Sequence, residues 1–431
     1  MSINKFNYTA VSDACVKCGK CKPVCTIFNI NQDETTSPRG FIDLLGAYER
    51  DELELDQNAK DIFESCFLCT NCVEECPIDL PTDMVIEQVR ADIAKKYGIA
   101  WYKRLFFWLL RHRKTMDMLS RMGWMFQTCA LKLDSNKQSA EPRFSLPIVK
   151  KDRVLPFADM RSFLNKYPQN IFAKNKKVEE NKKNKVAIFI GCMSNYTYTN
   201  TGDSLVKILK KLDLDIMIPK KQLCCGAPAY FTGAFDTVDY LTKKNIEYFE
   251  TWIDDVDAVI IPEATCSAMI NQDWEHFLHD QPEWQLRAVK LSKKIFMATK
   301  WLDDNTQLRE LLAQSKKTID TTVTYHDPCH AKKMQGVWKE PRNLLKQNYV
   351  LTEMSDSNRC CGFGGVTMQT EKYDFAKAAG LPKAAMIKET KAQVVSAECS
   401  ACRMQITNSL YLSDVDVKFK NPIELIAEAL D

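Results

Sequence analysis

The 431-residue chain carries 59 lysines and arginines against 56 aspartates and glutamates, a net charge of +3, which argues against a nucleic-acid binder. Its length allows about three domains with cores of their own. Eighteen cysteines are present, and Met1-Ser2-Ile3-Asn4-Lys5 leads into no apolar stretch of a secretory leader, so a cytoplasmic chain with thiols kept for metals rather than disulfides is expected.

Eight of the cysteines form two copies of one run, Cys15-x2-Cys18-x2-Cys21-x3-Cys25 and Cys66-x2-Cys69-x2-Cys72-x3-Cys76, with Pro77 after the second and Thr26 after the first. In two-cluster ferredoxins, three thiolates at this spacing face one cubic [4Fe-4S] cluster and the fourth reaches the cluster of the other run. Cys15, Cys18, Cys21 and Cys76 are therefore expected to hold one cluster, and Cys66, Cys69, Cys72 and Cys25 the other. A zinc site would use two pairs, and the third cysteine inside each run argues against one. Lys17, Lys20 and Lys22 flank the first run; Glu74, Glu75 and Asp79 flank the second. Positive charge favours the reduced cluster, so the first is expected to have the higher potential.

Residues 1–98 read as the unit built around these runs. Residues 99–130 follow as a basic, aromatic, helical segment: Lys103, Arg104, Arg111, Arg113, Lys114 and Arg121 stand against Asp117, interleaved with Trp101, Tyr102, Phe106, Phe107, Trp108, Trp124 and Phe126. Its longest apolar run is six residues, far short of the roughly twenty that span a bilayer. Such a helix lies in a membrane interface, in a partner's groove, or on its own protein. Cys129 matches no motif and is expected to be buried. Residues 131–185 read as a linker ending in a solvated charge run over 174–185.

The chain then repeats itself. Val186-Ala187-Ile188-Phe189-Ile190-Gly191-Cys192 and Val323-Thr324-Tyr325-His326-Asp327-Pro328-Cys329 are the same buried strand ending in a cysteine, 137 positions apart. Cys224-Cys225-Gly226 recurs as Cys360-Cys361-Gly362, 136 apart. A third strand, Ala258-Val259-Ile260-Ile261-Pro262, leads to Cys266, as Val394-Val395-Ser396-Ala397-Glu398 leads to Cys399. Helical patterns over 205–212, 235–249 and 373–389 alternate with these strands. The prediction is two tandem α/β units, 186–318 and 319–431, each with a small parallel sheet and cysteines just past the strands. Gly226 and Gly362 let both neighbouring thiols face one centre. The second unit has five thiols, Cys329, Cys360, Cys361, Cys399 and Cys402. The first has four, Cys192, Cys224, Cys225 and Cys266, with Met269 in the place of Cys402.

These patterns resemble the cysteine-rich CCG domain of the heterodisulfide reductase family. Together with Ser37-Pro38-Arg39-Gly40-Phe41, Gly191-Cys192-Met193-Ser194-Asn195-Tyr196, Tyr325-His326-Asp327-Pro328-Cys329-His330 and Glu398-Cys399-Ser400-Ala401-Cys402, they make the chain similar to the iron-sulfur subunits of glycolate oxidase and of anaerobic glycerol-3-phosphate dehydrogenase. The resemblance implies a mixed fold: an N-terminal α-helical ferredoxin domain followed by two tandem α/β CCG units. It implies an electron-transfer subunit that draws on FAD in a partner dehydrogenase subunit and delivers to membrane quinone or a quinone-reducing membrane protein, peripheral on the inner face of the cytoplasmic membrane. It permits a noncubane [4Fe-4S] cluster at the five cysteines of the second unit, and in the first unit a cubane, a deficient cluster or none.

The residues agree with that expectation, since no Gly-x-Gly-x-x-Gly follows a strand and neither flavin nor NAD is expected in this chain. A glycolate- or lactate-type complex is the main expectation. The glycerol-3-phosphate branch and a direct thiol/disulfide reductase are the alternatives. His326 and His330 flank Cys329, placed to hydrogen-bond a cluster sulfur or move a proton. His112, His276 and His279 suggest nothing specific.

Overall fold

A computed structural model describes residues 7–144, 149–174, 185–315 and 319–431; most of the 174–185 charge run and the opening Met1–Lys5 lie outside them. The first part is helical. Ser37 caps the Pro38–Glu49 helix by accepting from Gly40 N at 3.0 Å, with Pro38 in its first turn. Phe41 and Leu45 on this helix pack with Phe63 and with Val85, Ile86, Val89 and Ile93 of the Thr82–Tyr97 helix. The same core takes in Met368, Tyr373, Ala376 and Ala379 from far along the chain, so the ferredoxin-like part is docked on the C-terminal unit by shared apolar burial.

The basic segment forms two helices, Trp101–Arg111 and Arg113–Ala130, broken at His112. The first is anchored: Phe107 and Leu110 are buried, and Lys103 Nζ meets Thr367 Oγ1 at 2.9 Å and Glu371 Oε1 at 2.7 Å. The second buries no residue and leaves Met118, Met122, Met125 and Phe126 in solvent. Cys129, expected inside, is exposed, on a helix that buries none of its residues.

The stretch read as a linker is partly built. Strands β1 (Leu131–Asp134) and β2 (Ser139–Pro142) form an antiparallel hairpin. Arg153 Nη1 then donates to Gln369 O at 2.5 Å and Asn408 Oδ1 accepts from Val154 N at 2.9 Å. These long-range bonds have no local sequence signature, which is why composition alone suggested a free tether.

Two sheets follow. β3 (Asn170–Ile171), β4 (Lys185–Ile188), β5 (Asp215–Met217), β6 (Ala258–Ile261) and β7 (Ile295–Met297) lie in the order β3-β5-β4-β6-β7, all parallel except β3. β8 (Ile319–Tyr325), β9 (Tyr349–Leu351), β10 (Val394–Ser396) and β11 (Lys418–Lys420) lie in the order β11-β10-β8-β9, all parallel. Setting aside the edge strand β3, the two orders are the same, as a duplicated α/β unit requires. The continuous apolar runs of β4 and β6 fit strands covered on both faces.

The units share one core. Val186, Ile188 and Ile260 of the first sheet join Val323, Tyr325 and Val394 of the second through helices between them. The Thr199–Lys211 helix of the first unit packs on the Pro422–Ala429 helix of the second, and Ala298–Asn305 packs on Lys339–Leu345. Early helix thus meets late helix twice, a reciprocal pairing that brings the C-terminal ends of both sheets to one side.

Candidate metal centres

The two N-terminal cysteine runs are tied together before any metal is considered. The short helices Cys21–Val24 and Asn71–Glu74 pack on each other, and Asn71 Nδ2 donates to Val24 O at 2.8 Å. The consequence is an exchange of fourth cysteines. Cys15, Cys18, Cys21, Cys72 and Cys76 line one small cavity. Cys25, Cys66, Cys69 and Cys72 line a second. Pro38 lines both. The first lies at the surface, with Cys18 exposed, and the second lies inside, with Cys25 and Cys69 buried.

Cys72 lines both cavities, and each offers at least the four thiols that suit an iron-sulfur cluster. Burial pushes the Cys66 thiol up to about 12 and those of Cys25 and Cys72 well above the ordinary range. These thiolates therefore need a cation to form, which bound iron supplies. Leu68 N points at Cys66 Sγ at 3.4 Å, Leu80 N at Cys76 Sγ at 3.5 Å, and Thr26 Oγ1 lies 3.5 Å from Cys69 Sγ.

The charges differ from the simple reading of flanking residues. Lys17 pairs with Asp43 at 3.1 Å, and Lys22 and Arg39 share Glu34 at 2.6 and 2.5 Å. Glu34 is held down at about 2 by Arg39 and Lys22. The inner cavity, flanked in sequence by acids, receives two cations from a distance. Arg90, buried, donates to Cys66 O at 2.6 Å. Lys333 of the second α/β unit donates to Cys69 O at 3.2 Å and to the Asn71 side chain.

The remaining cysteines follow strand ends. Gly226 (φ +102°) and Gly362 (φ +88°) take the left-handed turn that carries each adjacent pair past β5 and β9. Cys192, Cys225 and Cys266 then open onto a single apolar cavity of about 210 Å³ together with all five cysteines of the second unit, Cys329, Cys360, Cys361, Cys399 and Cys402. Cys224 instead lines a small neighbouring pocket with Cys192. Sulfurs approach within each set: Cys225 to Cys266 at 3.4 Å and Cys361 to Cys402 at 3.4 Å. The regions also adjoin. Cys69 of the inner ferredoxin-like cavity shares one buried hydrophobic core with Cys360, and Phe67 and Leu68 line both cavities. The thiol sites therefore form one line from the surface at Cys18 to the shared cavity.

Comparison with known proteins agrees with this geometry. Residues 186–271 and 323–407 each match the CCG cysteine-rich domain, and residues 11–80 match a 4Fe-4S dicluster domain. The "Probable glycolate oxidase iron-sulfur subunit" of Bacillus subtilis is 29% identical over 403 residues, covering 91% of this chain and 87% of the relative. "Lactate utilization protein A" of the same organism is 31% identical over 245 residues, covering 56% of this chain and 98% of the relative. A fumarate reductase (CoM/CoB) subunit of Methanothermobacter marburgensis is 26% identical over 425 residues, 96% of this chain and 71% of the relative. The chain belongs to the tandem-CCG iron-sulfur subunits of glycolate oxidase type.

Within this CCG subunit, sequence reasoning singled out two histidines, and the structure separates their roles. His330 Nδ1 lies 3.2 Å from Cys329 Sγ on the cavity wall. His326 is buried beneath the cavity, its Nδ1 3.1 Å from Ser357 O, and burial pushes it well below the ordinary imidazole value. His112, His276 and His279 are exposed. Sequence reasoning missed Lys333, Lys383 and two glutamates. Lys383, fully buried, donates to Asp356 O at 2.7 Å, and burial lowers it to about 8. Glu263 accepts from Ser400 N at 2.8 Å and Ser194 Oγ at 2.5 Å, stitching the two CCG units. Glu398 accepts from Thr299 N at 3.2 Å. The glutamates had a legible signal, because one follows each third strand, in Pro262-Glu263 and Ala397-Glu398.

Proposed function

We propose that the chain carries electrons for a flavin-linked 2-hydroxy-acid dehydrogenase acting on glycolate or lactate, from FAD in a partner subunit toward membrane quinone or a quinone-reducing membrane protein. In this reading Cys15, Cys18, Cys21 and Cys76 hold one [4Fe-4S] cluster and Cys25, Cys66, Cys69 and Cys72 the other. Cys329, Cys360, Cys361, Cys399 and Cys402 hold a third centre, and Cys192, Cys224, Cys225 and Cys266 are the candidate set for a fourth. When bound, such clusters take up and release single electrons. The protein's part is to hold them in sequence, to keep water from the inner ones by burial, and to set the charge around them.

The observation that carries the reading is the adjoining series of thiol-lined cavities: Cys72 lines both ferredoxin-like cavities, and Phe67 and Leu68 line both the inner one and the CCG cavity. The names of the Bacillus relatives supply the hydroxy-acid class. No described helix is long and apolar enough to cross a membrane. The Arg113–Ala130 helix, with Met118, Met122, Met125 and Phe126 exposed beside Lys114 and Arg121, supports peripheral contact at the acceptor end.

The test is to purify the full chain without oxygen, mix it with candidate FAD dehydrogenase subunits, and follow cluster absorbance after adding glycolate, lactate or glycerol-3-phosphate. Bleaching by glycolate or lactate supports the proposal; bleaching by glycerol-3-phosphate alone moves it to the other branch, and none refutes it. Iron near eight per chain would leave only the two ferredoxin-type centres, and about twelve to sixteen would add CCG centres. One further reading, direct disulfide reduction, draws on the convergence of Cys192, Cys225 and Cys266 with all five cysteines of the second unit on one cavity. It requires disulfide-dependent oxidation of the reduced chain that Cys361→Ser abolishes.

A further inference from the structure

We propose that Nε2 of His326 is itself a ligand of the metal centre in the second CCG unit, beside Cys361 and Cys402, and that the first unit has no counterpart of it. The inference rests on the reading above that the second unit holds a metal. Its starting point is geometric: a ring nitrogen of His326 and the sulfurs of Cys361 and Cys402 all lie within 4.8 Å of one another, and all three residues are buried.

The tautomer follows from the hydrogen bond. A backbone carbonyl can only accept, so the 3.1 Å contact with Ser357 O puts the proton on Nδ1. Nε2 is left as a bare lone pair in a ring only 1% exposed, with no hydrogen-bond partner among the described residues. A buried acceptor, on a ring this close to two sulfurs, is costly to leave unsatisfied. A metal about 2.3 Å from each sulfur and about 2.0–2.1 Å from the nitrogen would satisfy it, and the 3.4 Å separation of the two sulfurs lies inside that reach. The Nδ1–H bond to a carbonyl is the usual outer support of a metal-bound imidazole.

The duplication provides an internal comparison. Three residues before the first cysteine, where the second unit has His326, the first has Phe189, which packs on Phe249 with ring centres 5.9 Å apart. Three residues after the third strand's cysteine, where the second unit has Cys402, the first has the buried Met269. A third difference lies on the helix after each cysteine pair, at the eleventh residue of Tyr373–Glu389 and of Phe235–Glu250. Lys383 puts a buried cation there, whereas Asn245 puts a neutral amide whose Nδ2 donates to Cys224 O at 3.0 Å. The donor nitrogen, a donor sulfur and the balancing cation are all in one unit and all replaced in the other. A neutral imidazole among thiolates also makes a centre less negative and easier to reduce, which suits an end point for electrons arriving past Cys69 and Cys360.

The experiment uses the anaerobically purified full chain labelled with 15N-histidine, as wild type, His326→Gln, His326→Phe and Cys361→Ser. Iron and zinc are counted first. The second unit's centre is then read by nitrogen hyperfine coupling if iron occupies it, or by zinc-edge X-ray absorption if zinc does. The expected result is a nitrogen ligand in wild type, lost in both histidine variants, while the two ferredoxin-type signals stay unchanged and report intact folding. A nitrogen ligand that survives in His326→Phe, or is absent from wild type whose metal count falls in Cys361→Ser, overturns the histidine assignment alone. An unchanged metal count in Cys361→Ser overturns both this assignment and the reading that the second unit holds a metal.

Discussion

Lys333 is the point at which the second CCG unit reaches into the inner ferredoxin-like cavity, and replacing it with methionine tests whether that contact sets a potential. Its ammonium donates to Cys69 O at 3.2 Å and makes no ion pair among the described residues. If the ammonium stands on the order of 7 Å from a bound cluster, its unit charge contributes about 2.4 kcal/mol at an effective dielectric of about 20. That corresponds to about 100 mV for a one-electron couple. Lys333 is half-buried, and solvent screening reduces the expected shift to about 50 mV. The sign is fixed, since losing a positive charge makes reduction harder and lowers the midpoint. An EPR-monitored redox titration should show that drop for the centre at Cys25, Cys66, Cys69 and Cys72, with the centre at Cys15, Cys18, Cys21 and Cys76 nearly unmoved and Lys333→Arg close to wild type. Equal shifts at both centres, or no shift at either, would refute the reasoning.

Arg90→Met should destabilise the chain on the order of 3–5 kcal/mol in chemical denaturation, since the buried guanidinium serves Phe63 O, Glu64 O, Cys66 O and Phe231 O. Gly362→Ala should fail to assemble the second CCG turn, because its φ is +88° and a Cβ would stand 2.7 Å from the Ala379 Cβ; a melting temperature unchanged from wild type would count against this. Gly123→Ala, in open space within the Arg113–Ala130 helix, should instead raise stability by about 0.5–1 kcal/mol, measured in the same melts. Burial pushes the Asp273 carboxyl up to about 7, so the folded chain holds a proton that the unfolded chain has released. Stability from this group is therefore full at low pH and declines as pH rises from about 4 toward 7. Asp273→Asn should flatten the decline between pH 5.5 and 7.5 and raise the melting temperature at pH 7.5.

Much of this protein is legible along the chain because its chemistry is written in short spacings. Three cysteines two residues apart, a cysteine pair before a glycine, and an apolar run ending in Cys192 or Cys329 each express a local requirement of ligand geometry or strand burial. The duplication of the α/β unit is legible for the same reason, and the matching strand orders of the two sheets follow from it. Residues 131–174 were not legible, since Arg153 and Val154 are held by Gln369 and Asn408 far downstream. The charge around the cavities is set by tertiary contacts as well as by neighbours in sequence: Lys17 pairs with Asp43 and Lys22 shares Glu34 with Arg39, while Arg90 and Lys333 arrive from elsewhere. Spacing by itself determined which residue types can hold metals and that the unit is doubled. Only the tertiary structure decided that Cys69 and Cys360 share one core, that Cys192, Cys225 and Cys266 face one cavity with all five cysteines of the second unit, and that a ring nitrogen of His326 stands beside Cys361 and Cys402. Those are contacts between segments far apart in the chain, fixed by which apolar faces bury against each other, and no local pattern encodes them.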